Sequence, residues 1–125
     1  MWIFTKHGFF SIVCAHDGSQ SNPIREVLMI RGRSSTHLKA LQSDFAQLQS
    51  FEVSETEETD YRYRIVAPKE IVVSVFNQAM MDLDYSNFKK VVSKTEDSLY
   101  LHCLNEVWGI MLELQMETSR RRNKS

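Results

Sequence analysis

Four arginines on two predicted strands are the residues in this chain whose type and spacing could do chemistry. Each pair is spaced by two, and alternate side chains of an extended strand point to the same side, so the members of a pair share one face of a sheet. A planar guanidinium donates paired hydrogen bonds to a carboxylate or a phosphate. The pattern predicts a site for a phosphate, a nucleic-acid backbone or an acidic peptide, formed by Arg31, Arg33, Arg62 and Arg64.

Two other interpretations of these strands stay open. In the one that we favour, the arginines pair with Glu26, Glu52 or the acidic loop 55–60 and keep an open sheet face solvated, with no ligand. In the other, Tyr61 and Tyr63 are exposed and stack on bases, as aromatic residues do in RNA-recognition sheets. No segment has the glycine-aromatic strand of that fold, which makes this the weakest of the three.

The alternation also predicts which side of each strand is buried. Tyr61, Tyr63 and Ile65 fall on one side of their strand, and Arg62 and Arg64 fall on the other. Burying unpaired charge is costly, so the side with Ile65 should lie against the helices. On the neighbouring strand the same argument turns Leu28 and Ile30 inward and Val27, Met29, Arg31 and Arg33 outward.

The sequence contains no recognisable catalytic or metal-binding pattern. His102 and Cys103 are adjacent on a predicted helix and diverge by about a third of a turn, so they do not readily hold one metal ion. His16 and Asp17 resemble a catalytic pair only in composition, and a turn at His16-Asp17-Gly18 explains them with fewer assumptions. No Walker loop or nucleophile elbow occurs. We therefore predict no catalytic residue, cofactor or metal and lean against an enzyme.

Composition bounds the class of protein. The chain has 125 residues, of which 42% are hydrophobic and 25% charged, as in an ordinary globular domain. The formal net charge of -1 gives no overall attraction to nucleic acid or to an anionic membrane. No segment approaches the roughly 20 apolar residues that span a bilayer. With Cys14 and Cys103 interpreted as reduced core thiols, we expect a cytoplasmic protein.

Hydrophobic periodicity and turn residues predict the order of the elements. The predicted segments are strands over 2–15, 25–33, 51–53 and 61–66 and helices starting near Ser34, at Pro68, near Asp84 and near Thr95, the last ending near Met116. This order indicates an α+β fold: an antiparallel sheet with helices packed on one face, in a permuted ferredoxin-like plait. We expect a single α+β domain over 1–118 and a basic disordered tail over 119–125.

The last predicted helix is apolar over an unusually wide part of its circumference. Leu101, Leu104 and Trp108 begin one stripe, and a second runs beside it. Such a helix must be covered on two sides, either within its own domain or by a second copy of the chain. We lean to a dimer, with an interface formed by Cys103, Val107, Trp108, Ile110 and Leu114.

Several segments together resemble a family of short bacterial proteins of unknown function. These are Met1–Thr5, Gly8–Val13, Asp60–Pro68, Asp84–Lys89 and Glu106–Met111. The resemblance covers most of the chain and implies a bacterial origin and an intact domain, but no site. We therefore expect a non-enzymatic binding or assembly module that self-associates and engages a partner protein or a small anionic ligand. The alternative is a nucleic-acid-binding protein that uses the arginines and the basic tail.

Overall fold

The computed structural model describes residues 1–124. The strands are β1 (Trp2–Thr5), β2 (Gly8–His16), β3 (Pro23–Gly32), β4 (Ser54–Glu55) and β5 (Tyr63–Pro68). The helices are α1 (Ser35–Asp44), α2 (Lys69–Met81), α3 (Phe88–Ser93) and α4 (Ser98–Lys124), with a short 3-10 helix at Ala46–Leu48. The chain forms two compact units, Met1–Asp84 and a second that begins at Tyr85, which are described separately.

The first unit contains one five-stranded sheet in the order β1-β2-β3-β5-β4. Every neighbouring pair is antiparallel. Helices α1 and α2 pack against it. This confirms the predicted α+β class and the antiparallel sheet covered by helices. The predicted short strand over 51–53 lies slightly later in the chain, as β4.

The core of the first unit lies between the sheet and the two helices. Its cluster contains Phe10, Ile12, Ile30, Ile65 and Ala67 from the strands and Leu38, Leu41, Phe45, Leu48, Val72, Val75 and Phe76 from the helical segments. The strand members alternate along the chain, and the helix members recur at spacings of three and four. Each element therefore buries the face that its own periodicity selects.

A tight turn between β1 and β2 brings the start of β2 close to α1. Gly8 has a φ of 153°, which residues with a side chain rarely adopt, and a Cβ there would lie 2.1 Å from Cγ of His37. The backbone N–H of Phe9 donates to Nδ1 of the buried His37. Nearby, the imidazole of His7 contacts the carboxylate of Asp44 at the end of α1. Glycine at position 8 permits this close approach.

The second unit pairs α3 with α4. The two helices contact each other, and Val92, Tyr100 and Leu104 are buried. The side chain of Asn87 accepts the backbone N–H of Lys90 and caps α3. Sequence reasoning assigned that cap to Asp84, which instead lies three residues before Asn87.

The long helix α4 differs from its prediction at both ends. The carboxylate of Asp97 accepts the backbone N–H of Tyr100 at its start, so α4 begins at Ser98 rather than near Thr95. At its other end the helix continues through 119–124, which we predicted as a disordered tail; Ser125 lies outside the described residues. Glu117 supports this turn by pairing with Arg120 and Arg121. Over residues 1–124, no helix is both long and apolar enough to cross a membrane.

Replacing Gly8 with alanine should destabilise the first unit strongly. The added Cβ would strain the backbone and collide with His37, and we expect a loss of about 3 kcal/mol in the free energy of unfolding. Gly109→Ala is the matched control, because a Cβ in the middle of α4 meets no atom within 4 Å. That change should stabilise its helix by about 0.5–1 kcal/mol. Urea unfolding of both variants measures this, and a harmless Gly8→Ala would contradict the close packing.

Candidate functional site: the arginine face

The face of the sheet opposite α1 and α2 carries a cluster that we call the arginine face, made of Arg31, Arg33, Arg64, Tyr61 and Ser11. Ile30 and Ile65 are in the core, so the next residues, Arg31 and Arg64, point to the opposite side. Their outward orientation matches the expectation from the sequence. The positions of Tyr61 and Ser11 do not follow from it.

Arg31 and Arg64 are direct partners across β3 and β5. Directly opposite residues have Cβ atoms about 4.5–5.5 Å apart, and like charges in such positions destabilise a sheet. Two arginines are therefore anchored directly opposite each other at the centre of this face. The repulsion between them would be relieved either by neighbouring carboxylates or by an external anion.

The protein partners of these two guanidiniums are uncharged. Nη2 of Arg31 donates to the hydroxyl of the buried Ser11 at 2.7 Å. Nη2 of Arg64 donates to Thr59 Oγ1 at 3.2 Å and to the carbonyl of Tyr61 at 3.3 Å, and its Nη1 lies 3.9 Å from the sulfur of Met29. Within residues 1–124, no carboxylate forms an ion pair with either arginine.

Each of the two guanidiniums also retains a buried donor without a partner. Nε of Arg31 and Nε of Arg64 are inaccessible to solvent and make no hydrogen bond in the structure. Buried polar atoms are nearly always hydrogen-bonded, so such atoms mark a strained or functional position. The ligand-free interpretation, in which acidic side chains pair with the arginines, does not describe Arg31 and Arg64, because no carboxylate of residues 1–124 forms an ion pair with either.

Tyr61 orients two of the arginines. The guanidinium carbons of Arg31 and Arg33 lie 4.5 Å and 4.6 Å from the centroid of its ring, a distance at which a cation is attracted to an aromatic face. Tyr61 was expected on the same side as Tyr63. It lies on the arginine face instead, because β5 begins only at Tyr63 and the preceding residues form a bend in which strict alternation does not hold.

Arg62 and Arg33 differ from the central pair. Nε of Arg62 lies 2.7 Å from a Glu55 carboxylate oxygen, and its Nη2 lies 3.4 Å from Glu57. The hydrogen bond that Arg62 donates to Glu55, and then the negative charge of Glu55, raise the pKa of Arg62 above its ordinary value. The ligand-free interpretation thus describes Arg62 well. Exposed Arg33 donates from Nε to the carbonyl of Asp60 at 3.3 Å and forms the rim of the arginine face.

Aromatic rings and a shallow groove border the arginine face. Phe9 stacks on Phe4 with ring centroids 4.6 Å apart, meets Trp2 edge-on at 5.7 Å, and lies 6.3 Å from Tyr61. Trp2 is 68% exposed. A groove of about 400 Å³ adjoins Arg31 and is lined by Val13, Cys14, His16, Gln20, Pro23, Met29 and Arg31. The guanidinium of Arg31 therefore faces both a ring cluster and an open cleft.

The predicted dimer residues lie on α4 and are largely uncovered. Cys103, Trp108, Ile110 and Leu114 are exposed, and Val107 is half-buried. The prediction that Cys103 is a core thiol is therefore wrong, although both cysteines are free as expected. Lys89 sits 4.8 Å from the ring centroid of Trp108 and covers only part of it.

No metal centre accompanies the arginine face: residues 1–124 contain no group of three or more histidine, cysteine or acidic side chains arranged to hold an ion. Comparisons with protein-family models, with curated proteins and with solved structures give no match. Sequence reasoning missed Ser11, although a lone hydroxyl in the apolar strand segment 9–13 is a readable signal for a buried polar partner.

Ser11→Ala should weaken the first unit because it leaves the half-buried Arg31 without the acceptor of its hydrogen bond. We expect a loss of about 1–2 kcal/mol in the free energy of unfolding. The effect should disappear in an Arg31→Met background, where no guanidinium needs the hydroxyl, and this double-mutant cycle isolates the contact. Ser43→Ala, at an exposed position of α1, is the control and should change stability by less than about 0.5 kcal/mol. Equal losses in both backgrounds would contradict the contact.

Proposed function

We propose that this chain is a non-enzymatic binding module that holds an anionic partner at the arginine face. The observation that carries the proposal is the pair formed by Arg31 and Arg64. Arg31 and Arg64 lie opposite each other across β3 and β5, and the hydrogen-bond partners of both guanidiniums are uncharged. An anion between them would replace a repulsion by two charge-assisted contacts, which are the strong class of hydrogen bond.

A small phosphate-like anion or an acidic side chain fits this site best. The two guanidiniums supply forked donors, and the cation–π contacts with Tyr61 hold Arg31 and Arg33 in place before a ligand arrives. Such preorganisation reduces the entropy lost on binding. The adjoining groove of about 400 Å³ falls within the range of small-molecule sites.

Nucleic acid is the second candidate, and one observation favours it. Trp2 is 68% exposed beside Phe9, next to the arginines, and single-stranded nucleic acid combines base stacking on aromatic rings with backbone contacts to basic residues. The formal net charge of -1 weighs against strong non-specific binding, so the small anion remains our first proposal.

The remaining parts of the proposal concern fold, location and assembly. The order β2-β3-β5-β4, with antiparallel neighbours, supports a permuted ferredoxin-like plait. Two free cysteines are consistent with a cytoplasmic protein. The resemblance to short bacterial proteins remains a prediction. We also propose that the module self-associates through α4, whose Trp108, Ile110 and Leu114 are exposed.

Phosphate and tripolyphosphate should stabilise the protein against thermal unfolding when chloride keeps the ionic strength constant. A ligand that binds only the folded state stabilises it by about 2.7 kcal/mol at 100 times its Kd. The double variant Arg31→Gln/Arg64→Gln should lose this response. The matched control Arg25→Gln/Arg62→Gln removes the same charge from exposed positions and should keep it. An unresponsive wild type, or an equal response in both double variants, would overturn the proposed site.

A single-stranded oligonucleotide separates the two candidates. If nucleic acid is the partner, it should bind more tightly than tripolyphosphate, and Trp2→Ala should weaken binding by about 1–3 kcal/mol through lost stacking. Binding measured by fluorescence anisotropy should also fall as salt rises, with a smaller slope in the double variant Arg31→Gln/Arg64→Gln. For a small-anion module we expect Trp2→Ala to leave tripolyphosphate binding unchanged and the oligonucleotide to gain nothing from its bases.

A further inference from the structure

We propose that this chain binds a nucleoside monophosphate, with the phosphate at the arginine face and the nucleoside in the groove beside Arg31. This inference rests on the anion site proposed above and adds the chemical class of the ligand. We call the cleft the β2–β3 groove. Its volume is about 400 Å³, and its lining comprises Val13, Cys14, His16, Gln20, Pro23, Met29 and Arg31.

The β2–β3 groove lies on the same side of the sheet as the arginine face. Ile30 is in the core, so Met29 and Arg31, on either side of it in β3, point to the opposite side. Val13 is the partner of Met29 in β2 and shares that side. Nη1 of Arg64 lies 3.9 Å from the sulfur of Met29. Both central arginines therefore adjoin the groove, one as part of its lining and one through a lining residue.

The groove lies where the pairing of β2 with β3 is irregular. Cys14 pairs with Leu28, but the next residue, Ala15, pairs with Ile24, so residues 25–27 of β3 have no partner in β2. Irregularities of this kind bend a strand, re-aim its side chains and are common next to binding sites. The register shift explains why Cys14 belongs to the lining, although strict alternation would turn it towards the core.

Charge favours a phosphate monoester over the phosphodiester of a nucleic-acid strand. A phosphate monoester carries a charge of about -1.5 to -2 at pH 7 and has three strong acceptor oxygens. Arg31 and Arg64 offer two guanidiniums, and within residues 1–124 no carboxylate forms an ion pair with either. A phosphodiester has a single charge, and its chain continues on both sides. A terminal phosphate on one nucleoside therefore complements the two arginines better.

The far end of the groove favours an organic group that has hydrogen-bonding atoms. From Ser11, which is opposite Arg31, to His16, strand β2 extends about 16 Å, well beyond the size of an inorganic phosphate. His16 and Gln20 are exposed at this end, and neither side chain has a hydrogen-bond partner in the described part of the chain. A hydrocarbon tail would leave these polar groups unused. A nucleobase presents donors and acceptors along its edge and apolar surface on its two faces.

The turn that carries Gln20 is held by the backbone. The N–H of Asp17 donates to the carbonyl of Asn22 at 3.1 Å, and the N–H of Asn22 donates to the carbonyl of Ser19 at 2.9 Å. Gly18 has a φ of 72°, a conformation that favours glycine. Because these bonds fix the turn before a ligand arrives, less entropy is lost when the amide of Gln20 engages a base.

Calorimetry with a set of small probes at constant ionic strength tests the class of ligand. Adenosine 5′-monophosphate should bind at least about 10-fold more tightly than inorganic phosphate or ribose 5-phosphate, because only its base reaches the far end of the groove. Equal affinity for these three probes would overturn this inference and leave the anion site intact. No binding of any phosphate would overturn both. Tighter binding of hexyl phosphate would show an apolar ligand and overturn the nucleoside.

Groove variants test where the nucleoside binds. Val13→Trp should fill the groove and remove the advantage of adenosine 5′-monophosphate over inorganic phosphate. Val73→Trp is the matched control, because Val73 is 56% exposed on α2, on the other side of the sheet, and it should keep that advantage. His16→Ala/Gln20→Ala changes two exposed residues, does not depend on fitting a large ring, and should lower the advantage at least about 3-fold. An undiminished advantage in this double variant would overturn the proposed position of the base.

Discussion

The register between β3 and β5 is the constraint on which the first unit depends. It sets Ile30 opposite Ile65 inside the core and, one residue further on, Arg31 opposite Arg64 on the other face. A slip by one residue would bring charge into the core and apolar groups out of it, at a cost that no surface contact could offset. The pairing required by the apolar interior thus also places two arginines at directly opposite positions on the other face. The same pairing of β3 with β5 therefore determines both the core packing and the position of the candidate site.

The sequence predicted best what periodicity controls. The spacing of Leu38, Leu41 and Phe45 and the alternation around Ile65 identified the buried faces, because burial of apolar area is the largest local signal in a chain. Ion pairs between residues that are distant in the sequence were harder to predict. Of the acidic partners considered, Glu55 and Glu57 hold Arg62 but not Arg64, since which carboxylate reaches which arginine depends on loop geometry that has no period. The orientation of Tyr61 was predicted wrongly for a related reason. Side chains alternate between the two faces only within a strand, and Tyr61 lies before β5.

In the second unit, the positions at which helices begin and end were also hard to predict from the sequence. The existence of a long last helix was predicted, but its boundaries were not, because several residues near each end could serve as caps and only three-dimensional geometry selects one. The basic segment after Thr118 has nothing apolar to bury, which suggested disorder. Its helical state rests on continuity with a long preceding helix and on charge pairs within single turns. Elements stabilised mainly by their own neighbours are hard to recognise from hydrophobic pattern.

The shortness of β4 has a consequence for how the protein behaves at high concentration. Only Ser54 and Glu55 pair with β5, so among the described residues the outer edge of β5 beyond Arg64 has no strand beside it. Such an edge is a template on which another chain can add a strand and start an aggregate. Here the exposed run is brief, ends at a proline that offers no N–H, and is preceded by a loop rich in glutamate. These features favour colloidal stability in a crowded cell.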